Sequence, residues 1–111
     1  ITMLFHIEYE LFSDLKEQAQ AYFADMSEEE IATEFPEGMT VIGRWHDIAN
    51  GSGLMIADVS SEEALTSWMY GWSSLATFPV VKPVLDDGSA RRLIQSMEDL
   101  GDIEDDEEDD Q

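Results

Sequence analysis

The chain has no cysteine, three prolines, two histidines and only five lysines and arginines. No apolar run approaches the roughly 18 residues of a membrane-spanning helix. Without cysteine there is no disulfide framework, thiolate nucleophile, zinc ribbon or iron–sulfur site. Five basic residues against 26 acidic ones give a formal net charge of −21, which opposes binding to nucleic acid phosphates or to an anionic membrane surface. No cationic start followed by an apolar stretch suggests a secretory signal, so a cytoplasmic protein is expected. No glycine-rich phosphate loop is read either, because Gly51 and Gly53 fall between two strands rather than between a strand and a helix N-terminus. Met3 reads as a natural start, with Ile1 and Thr2 carried in ahead of it.

What is present divides unevenly. From Glu98 to the end stand ten acidic residues and no basic one, and residues 104–110 form an unbroken Glu/Asp run. Such a run repels itself and has nothing to bury, so residues 101–111 are expected to be a disordered acidic tail. Its plainest role is solubility, with docking to a basic protein partner as the alternative. Residues 3–100 are expected to form a single domain, long enough for one core.

Periodicity orders that domain. Residues 3–9 (MLFHIEY) alternate as a half-buried strand does. After Ser13 as N-cap, Phe12, Leu15, Ala19, Tyr22, Phe23 and Met26 fall on one helical face. Ser27 with Glu30 forms a capping box for a short turn that Pro36 and Gly38 end. Residues 39–47 and 54–59 read as two strands joined by Ala49, Asn50, Gly51, Ser52 and Gly53, which supply the positive-φ residues a hairpin needs. A second capping box, Ser60 with Glu63, opens a helix over 61–75 that carries Leu65, Trp68, Met69 and Trp72. Residues 78–85 (FPVVKPVL) make a fourth strand, confined to a sheet edge by Pro79 and Pro83. A last helix spans about 89–100.

The order β-α-β-β-α-β is the split β-α-β, or ferredoxin-like, α+β plan: a four-stranded antiparallel sheet with both long helices on one face. With Phe5, Ile7, Tyr9, Val41, Leu54 and Ile56 turned to the helices, parity puts Leu4, His6, Glu8, Ile42, Arg44, His46, Met55 and Ala57 on the open face. Leu4, Ile42, Met55 and Val59 together in water are costly, so a homodimer packed sheet to sheet is expected.

The opening MLFHIEY, the EGMTVIGRWHD strand with Gly38, Gly43 and Trp45, the WMYGW helix end and the closing FPVVKPVL resemble a small bacterial family known as domain of unknown function 3303. The resemblance covers about residues 3–85 and implies a dimeric α+β barrel, in which two ferredoxin-like protomers pack their sheets face to face. Relatives in that superfamily include cofactor-independent monooxygenases, haem-degrading enzymes, chlorite-dismutase-like proteins and ligand-sensing domains. The resemblance therefore implies a cavity rather than a reaction.

Ligand-pocket candidates are His6, Glu8, Arg44, His46 and Lys82, with Trp45, Trp68, Trp72 and Tyr9 as walls. His6 and His46 are the only imidazoles, the natural general bases or metal ligands, or else polar surface residues. With one strand between them they stand roughly 10 Å apart, too far to share a metal. Arg44 either clamps a ligand carboxylate or pairs with Glu8 or a partner-chain acid, and the pairing is the plainer reading. Lys82 either pairs with Glu8 or guards the sheet edge. Trp68 and Trp72, four residues apart, read as helix-on-sheet packing rather than a cofactor box, and no cofactor is expected.

Two functions follow from different classes. One is a non-enzymatic module that binds a small ligand or a protein partner, favoured because no nucleophile–base or metal constellation is evident. The other is a cofactor-independent oxygenase-like enzyme with a histidine in the cavity, which the family resemblance implies.

Overall fold

Nine-residue strands at the start and end of the alternating region, and a hairpin between them, leave few ways to hydrogen-bond every backbone group other than one sheet. A computed structural model describes the backbone of residues 3–109 and the side chains of residues 3–100. In it β1 (Met3–Leu11), β2 (Met39–Asp47), β3 (Ser52–Val59) and β4 (Ala76–Val84) form a sheet in the order β2-β3-β1-β4. All three strand pairs are antiparallel. The helices are α1 (Lys16–Asp25), α2 (Glu28–Ala32), α3 (Glu62–Trp72) and α4 (Asp87–Asp109). This is the expected ferredoxin-like plan, with β4 on an edge. Among the described residues no helix is long and apolar enough to cross a membrane.

Two expected caps are displaced. Ser61, not Ser60, starts α3, its Oγ accepting the Ala64 N–H at 3.2 Å, while Ser60 Oγ turns to the Gly38 carbonyl. Either serine can fill an N-cap, and the strand length before it decides which one does. Ser13 does not cap α1, which begins at Lys16 behind Leu15 with no side-chain cap. The Ser27–Glu30 capping box forms as expected, with both hydrogen bonds at 3.1 Å.

The core lies between the sheet and α3: Ile7, Met39, Met55, Ala57 and Val59 meet Ala64, Leu65 and Trp68. Burying side chains such as Ile7, Met55 and Val59 contributes about 1.5–3 kcal/mol each. Met55, Ala57 and Val59 therefore face the helices, and Leu54 and Ile56 face away, the reverse of the expected phase of β3. Apolar residues stand at both parities in LMIADV, so periodicity alone could not choose between them.

The phase of β2 changes partway along. Val41 pairs with Ala57 but Gly43 pairs with Ile56, so Ile42 is an extra residue in a β-bulge. Beyond it Arg44 and His46 point to the helix side, correcting their expected place on the open face. Trp45 takes the opposite side, 59% exposed, with its indole lying over Gly43. A second irregularity lies on β4, where Phe78 and Pro79 both stand opposite Tyr9. Pro79 lacks a ladder donor and an irregular edge position is where a strand tolerates it.

The open face accordingly carries Leu4, His6, Glu8, Leu54, Ile56, Asp58, Val80, Lys82 and Val84. In the β2–β3 turn Gly51 has φ 71°, whereas Gly53 lies inside β3 without positive φ.

Asp86 starts α4, its carboxylate accepting the Ser89 N–H at 2.8 Å. Leu93, Ile94, Met97 and Leu100 on this helix are each about half exposed, on one face by their spacing. The helical backbone continues to Asp109, across most of the segment expected to be a disordered tail. A turn added to an existing helix does not repeat the cost of nucleation. Ile1, Thr2 and residues 110–111 lie outside the described residues.

Candidate functional site

The bulge in β2 turns two polar side chains inward over the sheet, and α1 and α3 stand apart enough to leave space above them. The result is a cavity of about 320 Å³. Its floor is Ile7, Tyr9 and Leu11 from β1, Met55 from β3, and Ala76 and Phe78 from β4; Ala19, Gln20, Phe23 and Ala24 of α1 and Trp68 and Trp72 of α3 form the walls. Arg44, His46 and Ile48 complete it from the β2 side.

One end is organised by a residue from outside the sheet. Glu34, just after α2, accepts Arg44 Nη1–H at 2.8 Å and Nη2–H at 3.0 Å in a bidentate pair, and its Oε2 also accepts Trp68 Nε1–H at 3.0 Å and Trp72 Nε1–H at 3.2 Å. The Glu34 side chain is 5% exposed and that of Arg44 14%. A charge pair so far from water persists because its remaining lone pairs are met by hydrogen bonds, here from two indoles. The guanidinium also lies between the Phe23 and Phe35 rings, 5.0 and 5.2 Å from their centroids. Arg44 thus pairs structurally, as the plainer reading held, but with Glu34 rather than Glu8 or a partner chain.

The other polar element is a pair from two non-adjacent strands. Tyr9 and His46 both stand opposite Gly53 in the register, and across it the Tyr9 hydroxyl meets His46 Nδ1 at 2.6 Å. Burial pushes the His46 imidazole below its ordinary pKa, the nearby Arg44 charge lowers it further, and Glu34 partly opposes them. Burial raises the Tyr9 phenol, against a lowering by Arg44. Both shifts favour the neutral forms, and the bond runs from the phenol to Nδ1 or from Nδ1–H to the phenol oxygen according to the imidazole tautomer.

Of the sequence candidates, Arg44, His46, Trp72, Trp68 and Tyr9 come together at this cavity. Glu8 and Trp45 border a shallower depression of about 630 Å³ that includes Leu54 and Val80. His6 and Lys82 line neither. They stand opposite each other on β1 and β4, and His6 Nε2 approaches Glu8 Oε2 at 3.1 Å. Lys82 therefore takes no part in the Glu8 pairing considered for it. His6 and His46 lie on opposite faces with β3 between their strands.

Glu34, Phe23 and Gln20 were not among the candidates. Glu34 closes a stretch with Glu28, Glu29 and Glu30 and has nothing in its own neighbourhood to separate it from a solvated acid. The one available signal was Arg44, a lone arginine in a strand that needed a partner. Among the described residues no group of three or more His, Asp or Glu side chains is placed to hold a metal.

No curated protein and no solved structure is detectably similar to the chain. A family match covers residues 3–98, reaching past β4 into α4. The chain belongs to the family described as Domain of unknown function (DUF3303).

Proposed function

We propose that this protein is a binding module for a small molecule held in the cavity between the sheet and helices α1 and α3. The observation that carries the reading is an apolar cavity of about 320 Å³ with a hydrogen-bonded Tyr9–His46 pair in its wall. That combination of apolar lining and a few placed polar groups is typical of ligand sites. Native mass spectrometry of the protein as purified, beside an Ala24→Trp variant, tests it. Ala24 is exposed and lines the cavity, so the larger side chain fills the space with little cost to the core. A bound molecule present in the parent and lost in the variant supports the reading; equal retention by both overturns it.

The second reading, an oxygenase-like enzyme that works without a cofactor, is favoured by one feature: an imidazole in the cavity lining, hydrogen-bonded to a phenol, is a group that can move a proton. Turnover that disappears in His46→Phe would establish it, and turnover unchanged by that substitution would remove it.

In either reading we expect a homodimer through the open sheet face. Leu4, Leu54, Ile56, Val80 and Val84 supply apolar area there, and Lys82 lies on the same face as Glu8 and Asp58. A face with both signs of charge suits a two-fold contact with its own copy. Light-scattering mass across a concentration series checks this.

A further inference from the structure

We propose that the cavity selects an uncharged, largely apolar and planar molecule bearing one carbonyl or hydroxyl oxygen, with that oxygen seated at His46. This deepens the small-molecule reading above and rests on it.

The charge argument comes first. Arg44 is the one formally charged side chain lining the cavity, and the Glu34 carboxylate engages both of its terminal nitrogens. An anionic ligand would meet a cation already neutralised, with the Glu34 charge directly behind it. A cationic ligand would find no carboxylate in the lining and would face the Arg44 guanidinium. A charge brought into such a space loses its water without a compensating partner, a cost far above that of a neutral group.

Shape and polarity narrow the class further. Phe23, Trp68, Trp72 and Phe78 present ring surface, which suits a flat apolar body. Gln20 has one of its two amide N–H groups engaged by the Ile48 carbonyl at 2.9 Å, which ties the side chain to the cavity rim. In the tautomer this proposal takes, Tyr9 donates its hydroxyl proton to His46 Nδ1 across 2.6 Å. The imidazole Nε2–H is then the neutral donor beside the phenol to which the proposal assigns the ligand oxygen, and the lowered His46 pKa is consistent with that neutral ring.

Four probes of one shape separate the possibilities: toluene, acetophenone, benzoate and benzylammonium, titrated into the full chain at neutral pH. The indole N–H signals of Trp68 and Trp72 and the ring signals of His46 report binding by nuclear magnetic resonance. Acetophenone is expected to bind about tenfold or more tightly than either charged probe. His46→Phe is expected to bring acetophenone down to the affinity that toluene has for the same variant. Benzoate or benzylammonium binding as well as acetophenone overturns the charge selection but leaves a binding cavity in place. Acetophenone affinity unchanged in His46→Phe overturns the placement of the oxygen. No saturable response from any of the four overturns the cavity reading and this inference with it.

Discussion

Tyr9 and His46 are partners across Gly53. They sit on strands separated by β3, about 9.6 Å apart at the usual spacing, and their side chains lean together over the one position between them that has no side chain. A Cβ at Gly53 would lie 2.4 Å from the Tyr9 ring and 2.5 Å from the Trp45 carbonyl oxygen.

Gly53→Ala is therefore expected to destabilise the fold by roughly 1–3 kcal/mol through overpacking against rigid backbone, and to break the Tyr9–His46 bond. Tyr9→Phe removes that bond without the clash and should cost about 1 kcal/mol. Urea unfolding of both variants, with the His46 ring signals followed alongside, separates the steric effect from the hydrogen bond.

Removing Glu34 has a larger expected effect. Glu34→Ala strands a guanidinium that is 14% exposed and leaves two indole N–H groups without their acceptor. A loss of about 3–5 kcal/mol is expected for one partner deleted from a buried pair. Replacing both partners, Glu34→Leu with Arg44→Met, should recover much of it, as measured by denaturant midpoints.

His46 gives a pH dependence whose sign is fixed. Its pKa in the folded protein is below the ordinary 6.5, so the unfolded chain takes up the proton first as pH falls. The stability that neutral His46 contributes is complete above the unfolded value and is lost as pH drops from there to the folded value. The His46 ring signals should titrate with a midpoint below 6.5, and Arg44→Met, which removes the second cause of the shift, should move that midpoint upward.

The acidic end of α4 should respond to pH in the opposite sense. Asp102 and Asp106, Glu104 and Glu108, and Asp105 and Asp109 fall four apart, where like charges repel along a helix, and all oppose the negative end of its dipole. Protonation removes both penalties. Far-ultraviolet circular dichroism of the full chain, minus that of a chain ending at Leu100, is expected to gain helical signal as pH falls from about 7 to about 3.5.

The two-fold reading of the open face predicts that Ile56→Lys leaves the fold intact and halves the light-scattering mass. Ile56 faces away from the core on β3, between Leu54 and Asp58.

The topology was legible because each element announces itself locally: alternation in MLFHIEY, helical spacing around Trp68 and Trp72, prolines in an edge strand. The faces were less legible. LMIADV is apolar at either parity, and nothing in MTVIGRWHD marks Ile42 as the surplus residue. The site was hidden for the same reason, since Arg44 and His46 reach the cavity only through that bulge. Glu34 was hidden differently: its role depends on residues ten, 34 and 38 positions away, and it is one acid among several near it.

The bulge at Ile42 acts on β2 much as an inserted letter acts on a reading frame. Everything after it stands on the face opposite to the one strict alternation assigns, so pairing the same residues without the bulge, with Ile42 given a place in the pleat, would exchange the roles of neighbours. Trp45 would turn into the cavity, and Arg44 and His46 would turn out of it, leaving Glu34 and Tyr9 without their partners. A site that depends on such a shift of phase rests on the surplus residue staying out of the pleat, and losing Ile42 outright would leave Gly43 opposite Ile56 and the later faces as they are.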